Sequence, residues 1–250
     1  MTDVQRPMGQ RGAVASLGMV IALGWLALVL TMSGQHAHTM TGLDLPFLAM
    51  WGAMSVAMML PTIAPLALAY AEVGPGHAAS YVGAYLAVWI AIAPLAYALL
   101  AVMHNWVWLV AAWVVAGIWQ AVPWTRTALQ RCRITSNSDH AARSSGSLIA
   151  GVRQGAWCTV ACLPIMVAGM ATAMVVSPIA GTALMVLLTV FMIWEKRGAR
   201  TAPTREFART LRISAVAICV LGVGLIGVTA ALTWAGQAPA SSGHEHHHQS

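Results

Sequence analysis

Residues 155–174 read GAWCTVACLPIMVAGMATAM, with no charged side chain in the run. About 20 mostly apolar residues are what a helix needs to cross the hydrocarbon core of a bilayer. This stretch therefore reads as most of a spanning helix, Gly155 to Val176, and the pattern recurs along the chain. The other segments run roughly Ala13 to Met32, Leu45 to Tyr70, Ala79 to Met103, Trp106 to Trp124, Ile179 to Trp194 and Ile213 to Trp234. The expected fold is all-α, a polytopic transmembrane bundle of about seven spans. Pro61, Pro65, Pro94, Pro123 and Pro164 fall within spans, where each removes a backbone donor and can kink its helix. Ser177 and Pro178 suit an N-cap and first-turn proline, so a tight turn is expected before the sixth span.

Composition agrees. The chain is 59% hydrophobic and 8% charged, whereas soluble domains carry about a quarter charged residues. Such a chain cannot cover a water-facing surface. The first segment reads as a retained helix, because its apolar stretch exceeds the core of about 7–15 residues typical of a cleaved signal.

Orientation follows from Lys and Arg, which gather in cytoplasmic loops. With the N-terminus inside and seven spans, the inside segments hold Arg6 and Arg11, then Arg126, Arg131, Arg133, Arg143 and Arg153, then Lys196, Arg197, Arg200, Arg205, Arg209 and Arg212. These are all 13 basic residues. The expected topology is N-in and C-out in the bacterial cytoplasmic (inner) membrane. The net charge of +6 then belongs to membrane topology and not to a nucleic-acid footprint. The expected organisation is a cytoplasmic segment 1–12, a helical domain 13–236 with a flexible cytoplasmic loop at about 126–153, and a disordered His-rich extracytoplasmic tail 237–250. His36, His38, His104, His244, His246, His247 and His248 fall on the outer side, His77 and His140 on the inner.

Ionisable residues are missing from the span centres: Asp44, Glu72, His104 and Glu195 all lie near ends. Proton-coupled transporters usually carry ionisable groups within the membrane, and no paired carboxylates suggest a hydrolase. No catalytic residue is assigned. The distinctive intramembrane groups are sulfurs, hydroxyls and tryptophans. Cys158, Cys162, Met166, Met170 and Met174 recur every four residues; the second span supplies Met50, Met54, Met58 and Met59. Thiolates and thioethers select Cu(I), and thiolates also hold zinc. Residues four apart share a helix face, but each such step drifts about 40°. Neighbouring sulfurs can thus share an ion while the whole row cannot. The proposed ligands are Cys158 and Cys162 with Met166, Met170, Met54 and Met58. A methionine stripe is also ordinary apolar filling, and both readings stay open.

The tail GHEHHHQS, with His244, His246, His247 and His248, and the earlier QHAHTM are metal-type tracts. They are expected to collect metal outside the membrane or else to be weakly chelating solvated segments. Cys132, in QRCR, lies among arginines that favour its thiolate, but the preferred reading is a plain exposed cysteine beside lipid-facing basic residues. Trp106, Trp108, Trp124, Trp157, Trp194 and Trp234 suit interfacial anchors. Gly222, Gly224 and Gly227 suit close helix packing.

At these residues the chain resembles a bacterial family of predicted metal-binding integral membrane proteins of unknown function. Three blocks carry the likeness, across roughly residues 45 to 200. They are MWGAMSVAMMLPTIAPL (Met50 to Leu66), similar to the family's Trp-Met-Ala-Met-Met-Pro signature; the inner-loop block ending in Cys132 and Arg133; and GAWCTVACLPIMVAGM, followed by Glu195 and Lys196. The resemblance implies a multipass fold that binds metal. Where the family carries a Cys-x-Gly-Cys-Cys pattern, Cys158 matches the first cysteine and Cys162 the last, with Thr159, Val160 and Ala161 between. Ala128 and Arg126 stand where the family has an earlier cysteine and a lysine. What is left is a smaller, softer ligand set. The functional expectation is a membrane protein that handles copper as Cu(I), zinc being the second choice, whose partners are the bilayer, the metal ion and another membrane protein or a metallochaperone. The alternative is a structural or assembly subunit without metal chemistry of its own.

Overall fold

Side chains at the helix starts decide where the chain enters each span. The computed structural model describes residues 8–33, 43–103, 105–134 and 146–198, with isolated positions between 213 and 231. Among the described residues the regular structure is helical throughout. The helices are α1 (Met8–Ser33), α2 (Leu45–Val73), α3 (Pro75–Ala91), α4 (Ala93–Val102), α5 (Trp106–Ala121), α6 (Pro123–Ile134), α7 (Ser147–Val175) and α8 (Pro178–Gly198). Asp44 caps α2 by accepting from the Phe47 N–H at 3.0 Å. Asn105 caps α5 by accepting from the N–H groups of Val107 and Trp108. Ser177 caps α8 as its sequence predicts, accepting from the Ala180 N–H at 3.0 Å. Each cap supplies an acceptor for donors that a helix start leaves unpaired.

Among the described residues four helical runs are long and apolar enough to cross a membrane: Gly12–Met32, Leu45–Val73, Pro75–Val102 and Ser147–Val175. A fifth is possible if α5 and α6, bent by 65° between them, count as one broken span. The apolar part of α8, Pro178–Trp194, is shorter. The seventh expected segment is described only at scattered helical positions from Ile213 to Ala231. Leu23, Leu26 and Leu30 on α1, Val115 and Ile118 on α5, and Leu187 and Val190 on α8 are exposed. This apolar exterior suits lipid and not water.

Pro94 and Pro123 mark breaks in the helices, whereas α2 runs on through Pro61 and Pro65. The third segment breaks at Ile92, just before Pro94, which then sits in the first turn of α4. Near this break the Trp51 indole N–H donates to the Trp89 carbonyl at 2.7 Å. The fourth segment ends earlier than its hydropathy suggests: α5 stops at Ala121 and Pro123 starts α6 in a new direction. The expected loop at 126–153 is correspondingly smaller, since α6 runs to Ile134 and α7 begins at Ser147, eight residues before Gly155. Polar residues at the start of α7 do not interrupt it, because Gln154 is buried against α6 and donates to the Cys132 carbonyl at 3.4 Å.

α7 is the central helix. It packs against α3, α4, α5, α6 and α8, while α1 and α3 flank α2. Pro164 cannot donate to the Val160 carbonyl four residues before it. The Trp119 indole N–H of α5 does so instead, at 2.7 Å, and the Gln120 amide donates to the Ala161 carbonyl at 3.0 Å. α5 thus supplies donors at the proline break. Trp119→Phe keeps the ring but orphans the Val160 carbonyl, where lipid supplies no substitute. It should lower stability by about 1–3 kcal/mol, read as a shift in denaturant unfolding of the detergent-solubilised chain.

α7 and α8 meet tightly after their short turn: a Cβ on Gly181 would collide with Ala173. Gly222 lies directly against the Trp113 ring, in keeping with close packing, whereas Gly224 and Gly227 face open space. Trp108, Trp124 and Trp194 are exposed near helix ends; Trp157 lies under Arg131, whose guanidinium carbon sits 4.4 Å from the ring centroid.

Candidate metal centre

Met59 of α2 and Cys158 of α7 meet beside the aromatic face that α3 holds against α7. Tyr81, Tyr85 and Trp89, four residues apart, form the buried face of α3. Opposite them α7 presents Gly151 and Gly155. A Cβ on Gly155 would lie 2.9 Å from the Val88 Cβ and 3.1 Å from the Tyr85 carbonyl oxygen, and one on Gly151 would strike the Tyr81 carbonyl. Small residues four apart let two helix backbones approach closely. The approach brings the Tyr85 hydroxyl to 3.1 Å from Cys158 Sγ, a buried hydrogen bond across 73 residues of sequence.

Cys158 is fully buried, and its Sγ lies 4.0 Å from Met59 Sδ on α2. Three sulfurs around one ion at metal–sulfur bonds of about 2.3 Å and 120° angles are about 4.0 Å apart. The Cys158–Met59 separation therefore already suits a shared soft cation. Cys162, one turn along α7, is buried, and both cysteines lie within electrostatic reach of the Tyr85 hydroxyl. Neither cysteine is in a disulfide.

The remaining expected ligands are placed as follows. Met54 and Met58 are fully buried on α2. Met166 and Met170 are buried on α7, at about 6 and 12 Å of helical rise beyond Cys162. Met170 is thus too far along the helix to share an ion with Cys158. His36, His38, His104, His244, His246, His247 and His248 lie outside the described residues, as do the side chains of Glu195 and Lys196. Among the described residues no three His, Cys, Asp or Glu side chains group as metal ligands. A centre built on Cys158 and Cys162 would have the thioethers of α2 and α7 as its nearest further soft donors. That set suits Cu(I) and not the closed four-ligand His/Cys sites of structural zinc.

The structure adds two residues to the expected set, Met59 and Tyr85: of the α2 methionines it is Met59, and not the expected Met54 or Met58, whose sulfur lies against Cys158. Tyr85 has no signal in the sequence alone, because only the packing of α3 on α7 at Gly151 and Gly155 brings its hydroxyl to Cys158. Charge explains why Tyr85 matters. One thiolate neutralises Cu(I), a second leaves a net negative charge in an apolar interior, and a hydroxyl donating to sulfur eases that cost. Tyr85→Phe should weaken Cu(I) binding about 10–100-fold, the usual effect of losing a partner that orients a ligand. Competition against a chromogenic Cu(I) chelator measures this.

The fold is an all-helical, lipid-compatible bundle in which the Cys158 thiol and the Met59 thioether are buried against each other. Comparison with protein families agrees with a copper-related role: the model described as PpoB2, copper chaperone, matches residues 48–225. The chain belongs to this copper chaperone family. The matched region contains Met59, Tyr85, Cys132, Cys158 and Cys162, and ends before the His-rich tail. No curated protein and no solved structure matches the chain significantly.

Proposed function

We propose that this chain is a membrane-embedded copper-handling protein that binds Cu(I) as cargo through Cys158, Cys162 and Met59, with Met166 as the next thioether along α7. The observation that carries the reading is Cys158: fully buried, 4.0 Å from a thioether sulfur and hydrogen-bonded by a tyrosine. A buried thiol that merely fills space needs neither neighbour. Met54 and Met58 line α2 beside Met59 and keep the centre in a soft, dry shell. In this reading the bundle lies in the bacterial inner membrane, N-terminus inside, with the basic segments cytoplasmic. His244, His246, His247 and His248 then stand on the outer side, where neutral imidazoles can collect copper. Delivery to another membrane protein or exchange with a metallochaperone fits the family's description. Nothing in the sequence indicates an ATP-driven pump.

The test is the metal content of the full chain, purified in detergent and incubated with Cu(I) under reducing conditions. About one tightly held copper per chain is expected after desalting. A chain that retains none, and that co-purifies instead with a stable membrane partner, would be the assembly subunit.

A further inference from the structure

Tyr70 and Tyr81 stack with ring centroids 5.0 Å apart, between α2 and α3. Both are almost completely buried, and neither hydroxyl has a hydrogen-bond partner. An unpaired hydroxyl in an apolar interior is costly, and two side by side call for an explanation. Phenylalanine would fill the same space without the penalty.

Their surroundings supply one. The Tyr81 hydroxyl lies within electrostatic reach of both Cys158 and Cys132, and Tyr70 is stacked beside it. Cys132 is buried on α6, which docks on α7 through Gln154 to the Cys132 carbonyl and Arg131 over Trp157. Arg153 is within electrostatic reach of Tyr70. The Tyr81 hydroxyl is thus a common neighbour of a thiol at the basic α6 end of the bundle and of the thiol that contacts Met59.

We propose that Cys132, Tyr70 and Tyr81 form a polar intake at the α6 end, in which Cys132 is a transient first ligand that passes Cu(I) to Cys158. The proposal rests on the copper reading above and adds to it a second cysteine position and an approach from the basic cytoplasmic side, separate from any copper gathered by the outer histidines. The metal stays Cu(I) throughout, so the step is ligand exchange: the bond to Cys132 sulfur breaks as the bond to Cys158 sulfur forms. The proton leaving the Cys158 thiol is balanced by the one that Cys132 regains. The tyrosine hydroxyls give the cation and its water an oxygen-lined passage through an otherwise apolar wall. Cys132 is not a permanent member of the centre, since Met59 and Cys162 already accompany Cys158.

The experiment follows Cu(I) transfer from its bicinchoninate complex to the full chain by stopped-flow absorbance, for wild type, Cys132→Ser and Tyr81→Phe. Both variants are expected to reach the wild-type copper content about tenfold more slowly, the equivalent of one lost interaction with a charged group on the path. Unchanged rates in both variants, with normal wild-type loading, would overturn the intake and leave the copper centre standing. A reduced final copper content in Cys132→Ser would make Cys132 a permanent ligand and also overturn it. Wild-type protein that takes up no copper would remove the copper reading itself. A slowing caused by a distorted fold is recognised by a lowered unfolding midpoint; slow loading at an unchanged midpoint is the signature of the intake.

Discussion

Replacing Cys158 and Cys162 together by alanine is expected to abolish tight Cu(I) binding while leaving the helices in place. Losing a group that only orients a ligand already weakens metal binding about 10–100-fold; losing two sulfur ligands should exceed that. The bundle should survive, because each change removes a single Sγ and leaves a cavity smaller than a methylene deletion in a large core residue would make. Neither cysteine is in a disulfide, so no cross-link is lost. The single variants should be unequal. Cys158 carries the Met59 contact and the Tyr85 hydrogen bond, so Cys158→Ala should lose more affinity than Cys162→Ala. Copper per chain, measured by elemental analysis beside the far-ultraviolet helical signal, decides the matter. Full copper content in the double variant would remove these cysteines from the centre and return them to core filling.

Much of this fold is legible in hydropathy, because a bilayer demands long apolar runs and forbids unpaired backbone. The starts of α2 and α8, the break before Pro94 and the turn at Ser177 all follow from local rules. What hydropathy does not register is a helix continuing through polar residues. α7 reaches back to Ser147 because Gln154 finds a carbonyl on α6, a partner more than 20 residues away in sequence. The site was legible by chemical type and not by geometry. Cys158 and Cys162 stand out as thiols at pair spacing. Choosing among four methionines of α2 requires the rotation of that helix against α7, and Met59 lies about 100° around the helix from Met58. Tyr85 was hidden for the same reason, since its hydroxyl matters only once α3 and α7 are brought together.

Gly155→Leu should disrupt both packing and copper binding, even though residue 155 touches no metal. Its Cβ would fall 2.9 Å from the Val88 Cβ and 3.1 Å from the Tyr85 carbonyl oxygen. Those atoms belong to a helix body and a β-branched side chain, so neither can swing aside. α3 and α7 must then separate, and overpacking of this kind costs about 1–3 kcal/mol or more. The separation acts where the centre is assembled, because the Tyr85 hydroxyl reaches Cys158 only across this contact. Gly155→Ala provides the graded control, with a smaller loss expected, and Gly224→Leu, at a position facing open space, should leave copper affinity unchanged. The measurement pairs the unfolding midpoint with Cu(I) affinity for all three variants. If Gly155→Leu kept wild-type affinity, the close approach of α3 to α7 would not be what positions Tyr85. If affinity fell in step with side-chain size, the glycine pair on α7 would be established as the element that sets the geometry of the sulfur centre from outside it.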